Sequence, residues 1–213
     1  MKKAERVIKI REILEKTYPD VKCSLDYSNP LEMLIATQLS AQCTDARVNA
    51  VCRELFVKYP TARDMANADI TELEEAVRSC GLFRVKASDI KAASAIICDK
   101  YGGSVPSDMD ALLELPGVGR KIANLVRGDL FGLGGVVTDT HCIRICGRLG
   151  FYPEAEKSPQ KIEKILTPLV PTEEQTDLCH RLVWFGRDVC TARSPKCEEC
   201  NISEICSYFL ERK

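Results

Sequence analysis

The segment Leu115-Pro116-Gly117-Val118-Gly119-Arg120-Lys121 separates two helical patterns, ALLEL before it and KIANLVRGDLF after it. A proline followed by two glycines turns more tightly than larger residues allow. With so little side chain present, backbone N–H groups and the start of the next helix lie bare. That is the chemistry of an anion site, and phosphate is the obvious anion. A dinucleotide fold does not fit, because no strand precedes the turn and no third glycine follows it. An ordinary helix–helix turn is the other reading, with Lys121 as a solvated phosphate contact. Farther on, Cys190, Cys197, Cys200 and Cys206 crowd together with six, two and five residues between them. Four thiolates so close point to a metal or cluster site, and spacing alone does not choose the metal. Between the two features, Asp139 precedes Thr140-His141 and reads as a helix N-cap.

The elements that position these residues are helical. Val7, Ile10 and Leu14 share one face, as do Leu31, Ile35 and Leu39, and then Val48, Val51, Cys52 and Leu55. Asn29-Pro30 opens one helix, and Thr71 with Glu74 suggests a capping box for another, which Gly81 would end. Later helices are expected near 84–101, 107–114, 119–131, 139–149, 159–170 and 172–186. No stretch alternates long enough to make a strand, so the fold class is all-α. Asp20–Asn29 and Gly132–Gly135 read as crossings between lobes, giving a middle lobe and a second lobe built from both termini.

Composition narrows the function classes. The 213 residues carry 30 basic and 31 acidic side chains, a net charge of −1, which argues against binding through bulk charge. The charge is segregated, however: 1–22 and 116–148 are each +3, whereas 60–75 is −4. The basic segments, with Arg187–Lys196, are expected to share one face. Twelve cysteines would suit a secreted disulfide scaffold, but the opening MKKAERVIKI has no apolar signal core. No run approaches the roughly 20 apolar residues of a membrane span. A reducing compartment is expected, with cysteines as core residues, metal ligands or nucleophiles. Cys142 and Cys146 share a helix face, and like the other six scattered cysteines they read as core.

LPGVGRKIANLV resembles the helix-hairpin-helix motif of the base-excision DNA glycosylases, and Val137-Thr138-Asp139-Thr140-His141 resembles their catalytic aspartate segment. The chain is most similar to the endonuclease III family, from about Pro30 to Cys206. Leu39-Ser40-Ala41-Gln42-Cys43-Thr44-Asp45, Gly81-Leu82-Phe83 and the cysteine array agree with it. The resemblance implies a two-lobed fold, with a six-helix domain over 23–134 and an iron–sulfur cluster domain over 1–22 and 135–213. It implies a [4Fe–4S] cluster on the four cysteines, and a glycosylase that removes oxidised pyrimidines and then cuts the abasic site by β-elimination. The implied partner is double-stranded DNA with a damaged base or abasic site, met by a cytoplasmic, nucleoid-associated monomer.

The same resemblance makes Lys121 the nucleophile and Asp139 its carboxylate partner. A lysine amine attacks C1′ only when neutral, and its ordinary pKa is about 10.4. The helix N-terminus, Arg120 and burial in a cleft are each expected to favour the neutral amine. Such an enzyme must flip its target out of the duplex. Gln42 is then expected to fill the gap and Leu82 to wedge beside the opposite strand. Leu115, Gly117, Gly119, Arg120, His141, Arg193 and Lys196 are the other expected DNA contacts. Gln38 stands where related chains tend to be apolar and is expected to line the base pocket. The alternatives are an adenine-mismatch glycosylase and a non-catalytic hairpin module that only holds phosphates. The first typically lacks the hairpin lysine and has an early-helix glutamate where Ala36 stands here; a lysine–aspartate pair argues against the second.

Overall fold

The computed structural model describes residues 3–212; Met1, Lys2 and Lys213 lie outside them. The chain separates into two units, Cys23–Phe131 and Met1–Lys22 with Gly132–Lys213. Among the described residues there is no β-strand, as the spacing of apolar residues predicts, and no helix is long and apolar enough to cross a membrane.

The middle unit runs α2 (Pro30–Leu39), α3 (Asp45–Lys58), α4 (Ala62–Asn67), α5 (Ile70–Val77), α6 (Phe83–Tyr101), α7 (Met109–Leu113) and α8 (Arg120–Phe131). Asn29 caps α2, its side chain accepting from the Glu32 amide, with Pro30 in the first turn. Residues 33–39 of α2 are all buried, as an apolar helix enclosed on every side must be. Ile35 and Leu39 enter one core, with Val48, Leu55, Leu73 and Ile90. Leu34 enters a second, with Ile97, Leu112, Leu115, Val118 and Val126. The second core holds the turn between α7 and α8 in place.

The capping box expected at Thr71 is not there. Asp69 caps α5 by accepting from the Thr71 and Glu72 amides, so Thr71 already lies inside the helix. A capping box does form ten residues earlier, between Thr61 and Asp64 at the start of α4. The shorter aspartate closes the same reciprocal pair that the sequence pattern assigns to glutamate. After α5 the chain tightens into a 3₁₀ turn, Arg78–Cys80, and Gly81 ends it at a φ of +63°. Among the described residues two other than glycine have left-handed backbone, Gln42 (φ 53°) and Leu82 (φ 47°). For an L-residue that conformation costs roughly 1–2 kcal/mol.

The terminal unit contains α1 (Lys3–Thr17), α9 (Thr140–Arg148), α10 (Pro159–Leu166), α11 (Gln175–Asp188) and α12 (Ser207–Leu210). α1 packs on α11 and α11 on α9. Val7, Ile10 and Leu14 of α1 are buried, as their shared face predicts. Gly186 lets α9 and α11 approach closely: a Cβ there would collide with His141 Nδ1 and press on Ile145. All twelve cysteines are free thiols, and Cys142 and Cys146 are buried in the core.

Candidate functional site

In the middle unit the hairpin is built on two buried anchors, Leu115 and Val118, with the Val118 amide donating to the Leu115 carbonyl at 3.0 Å. Because the Leu115 side chain belongs to the core, only its backbone is left for a ligand. The two glycines differ. Gly117 has a φ of +75°, and a Cβ there would stand 3.0 Å from Asp89 Oδ2 and from Gln38 Nε2. Both conformation and space therefore demand glycine. Gly119 has neither constraint from the protein: a Cβ would meet nothing within 4 Å. Its small size instead leaves open the approach to the N-terminal turn of α8. Arg120 and Lys121 follow, both exposed.

Gln38 is not on an open surface. It is 4 % exposed, and its Nε2 donates to the Pro116 carbonyl at 2.7 Å. Its Oε1 is buried with no hydrogen-bond partner. Gln38 thus braces the hairpin from beneath, a contact its place in the helix pattern does not reveal. Gln42 and Leu82 are exposed, Leu82 at 58 %.

In the terminal unit Asp139 caps α9, its Oδ1 accepting from the Cys142 amide at 2.7 Å, and its side chain is half-buried. An N-cap holds a carboxylate in one orientation at the start of its helix. His141 is half-buried against α11, and Arg144 lies 3.2 Å from its Nδ1. A guanidinium only donates, so that ring nitrogen accepts.

The four terminal cysteines line one cavity with Leu149, Phe185, Ile202 and Phe209. Two 3₁₀ turns, Cys197–Glu199 and Ser203–Ile205, fold the segment back on itself. Burial pushes the Cys197, Cys200 and Cys206 thiols above their ordinary pKa, and the neighbouring cysteines add to the rise. Gathering four thiolates in an apolar cradle is uphill without a cationic centre to offset them. Four sulfurs lining one cavity are a donor set for a metal centre or an iron–sulfur cluster.

Two arginines of α9 hold this segment, and sequence reasoning missed them. Arg148 donates to Thr191 O at 2.7 Å, to Ala192 O at 2.8 Å and to Cys190 Sγ at 3.4 Å. Its guanidinium also lies 4.7 Å from the centre of the Tyr208 ring. Arg144 reaches Cys190 O at 3.0 Å and Gly186 O at 3.3 Å. Both were counted in the basic 116–148 segment, yet Arg148 is buried and Arg144 half-buried, so that charge is spent inside its own unit. Their i, i+4 spacing in α9, with Cys190 downstream, is the available sequence signal. Arg193 and Lys196, by contrast, are exposed on the first cysteine loop.

Residues 35–172 match the family described as HhH-GPD superfamily base excision DNA repair protein, and residues 190–206 match the iron–sulfur binding domain of endonuclease III. Endonuclease III of Synechocystis sp. is 44% identical over 205 residues, covering 96% of this chain and 93% of that one. A solved structure of a non-covalent endonuclease III–DNA complex superposes with a TM-score of 0.93 at 42% identity, covering 100% of this chain and 99% of that one. A trapped endonuclease III–DNA covalent intermediate matches with the same TM-score, identity and coverage.

Proposed function

This chain belongs to the endonuclease III family of the HhH-GPD superfamily, and from that premise we propose which of its residues bind, cut and hold. It is a base excision repair DNA glycosylase and abasic-site lyase acting on oxidised pyrimidines in DNA, and it carries an iron–sulfur binding domain.

In the proposed reaction the hairpin amides and Arg120 take a DNA phosphate, with the space above Gly119 admitting the backbone. The neutral Lys121 amine attacks C1′. The glycosidic bond breaks, its electron pair leaves with the base, and the base picks up a proton. Opening of the sugar ring leaves a protonated imine between Lys121 and C1′. That imine acidifies the C2′ proton. Its removal drives the C3′–O bond to break, and the 3′ phosphate departs with the electron pair. Water then hydrolyses the imine and releases Lys121. Asp139, oriented by its cap, stabilises the cationic sugar and helps carry protons. Gln42 and Leu82 occupy the space the flipped nucleotide vacates.

Cys190, Cys197, Cys200 and Cys206 would hold a [4Fe–4S] cluster, whose chemistry here is to fix the loop carrying Arg193 and Lys196 toward phosphates. The 23–134 segment serves as the domain that carries the helix-hairpin-helix, and 1–22 with 135–213 as the cluster domain. In this reading the protein acts as a monomer on DNA of the nucleoid. The observation that carries the reading is Lys121, exposed in the first turn of α8 directly behind a hairpin whose Gly117 has a backbone conformation and close neighbours that favour glycine. Borohydride added during reaction with an oxidised-pyrimidine duplex is expected to trap a covalent adduct. An undiminished adduct from Lys121→Ala would overturn the assignment.

A further inference from the structure

Lys86, in the first turn of α6, is a lysine with 5 % exposure. Its Nζ donates to Leu39 O at 2.8 Å, Ala41 O at 2.7 Å and Cys80 O at 2.5 Å. An ammonium has three protons, and all three are used. Burial pushes its pKa down, with the Cys80 and Cys43 thiols opposing the fall. A cation enclosed this way is a costly means of satisfying three carbonyls, and a surface turn meets the same need with water.

The position of the acceptors suggests what the expense achieves. Leu39 and Ala41 lie in the turn that leads into Gln42, and Cys80 ends the turn that leads into Leu82. Gln42 and Leu82 are the two non-glycine residues with left-handed backbone among the described residues. One buried ammonium therefore ties together the two turns that present both strained residues. We propose that Lys86 is a positioning residue of the repair reaction: it joins the Gln42 and Leu82 turns into one rigid piece, so that both side chains are set for insertion before DNA arrives. The proposal rests on the reading of Gln42 and Leu82 as the inserting residues.

Lys86→Met, the pair Gln42→Ala/Leu82→Ala, and the triple variant separate the possibilities, using the full chain on an abasic-site duplex. Lys86→Met is expected to raise KM about tenfold, as loosening a strained turn would. The single-turnover rate at saturating DNA should stay within about twofold of the native protein's. In the Gln42→Ala/Leu82→Ala background Lys86→Met should add nothing, because no side chain remains to be positioned. A native KM for Lys86→Met, or the same added loss in the double-alanine background, would overturn the proposal. Should the methionine variant fail to fold, Lys86→Arg serves, since it keeps the charge but its planar fork cannot aim three donors from one point. A native KM for that variant overturns the proposal equally. If Gln42→Ala/Leu82→Ala alone leaves KM unchanged, the insertion reading itself fails. If that pair weakens binding while Lys86 substitutions are silent, only the coupling role falls.

Discussion

The hairpin and the cysteine segment are both short, irregular stretches that must be held still, and they are held by different means. The hairpin is fixed by backbone conformation, by two buried apolar anchors and by one neutral amide from Gln38. The cysteine segment has a buried apolar anchor in Ile202 and is in addition gripped by guanidinium groups reaching across from α9. The difference follows from what each must leave exposed. A phosphate site needs bare amides, so its support has to come from beneath. A segment that gathers thiolates benefits from cations beside it.

The largest effect expected is chemical and confined to the hairpin unit. Lys121→Ala should lower strand cleavage by about 10⁴-fold or more while leaving Tm and iron content unchanged. Gel assays beside thermal melts would read both. Arg148→Met tests the other region: it orphans the Thr191 and Ala192 carbonyls and should cost about 3 kcal/mol. Iron per chain should fall in proportion to the lost stability, whereas native iron content would show that the cysteines need no such grip. A paired substitution in the hairpin sharpens the contrast. Gly117→Ala is expected to destabilise by about 1–3 kcal/mol through its φ and its close neighbours. Gly119→Ala should leave denaturant midpoints alone yet weaken duplex binding, and equal behaviour of the two would erase the distinction drawn between them. The smallest effect belongs to Gln38→Leu. It loses one hydrogen bond but removes a buried unpaired oxygen, so stability should change by less than about 1 kcal/mol.

Much of this was legible in the residues. Apolar spacing marked the helices because each packs a single face, as with Val7, Ile10 and Leu14. The glycine hairpin stood out because its turn has local causes. What was not legible depends on groups distant in the chain. Gln38 sits in an apolar helix, and only the arrival of Pro116 explains it. Arg144 and Arg148 looked like surface charge because the carbonyls they serve lie more than forty residues away. Lys86 lies on the inward stripe of α6 by its spacing from Phe83 and Ile90, but two of the three carbonyls that explain it are more than forty residues away. Thr71 was misread for a local reason, since Asp69 two residues earlier is the better cap.

The burial of α2 on all sides bears on how the middle unit comes apart. Ile35 and Leu39 belong to one apolar cluster and Leu34 to the other, so neither cluster is complete without this helix. Two small cores that share a wall cannot melt separately; loss of either exposes the helix that seals its neighbour. The hairpin and the Gln42 turn are thereby expected to open together rather than one at a time, as parts of one cooperative unit.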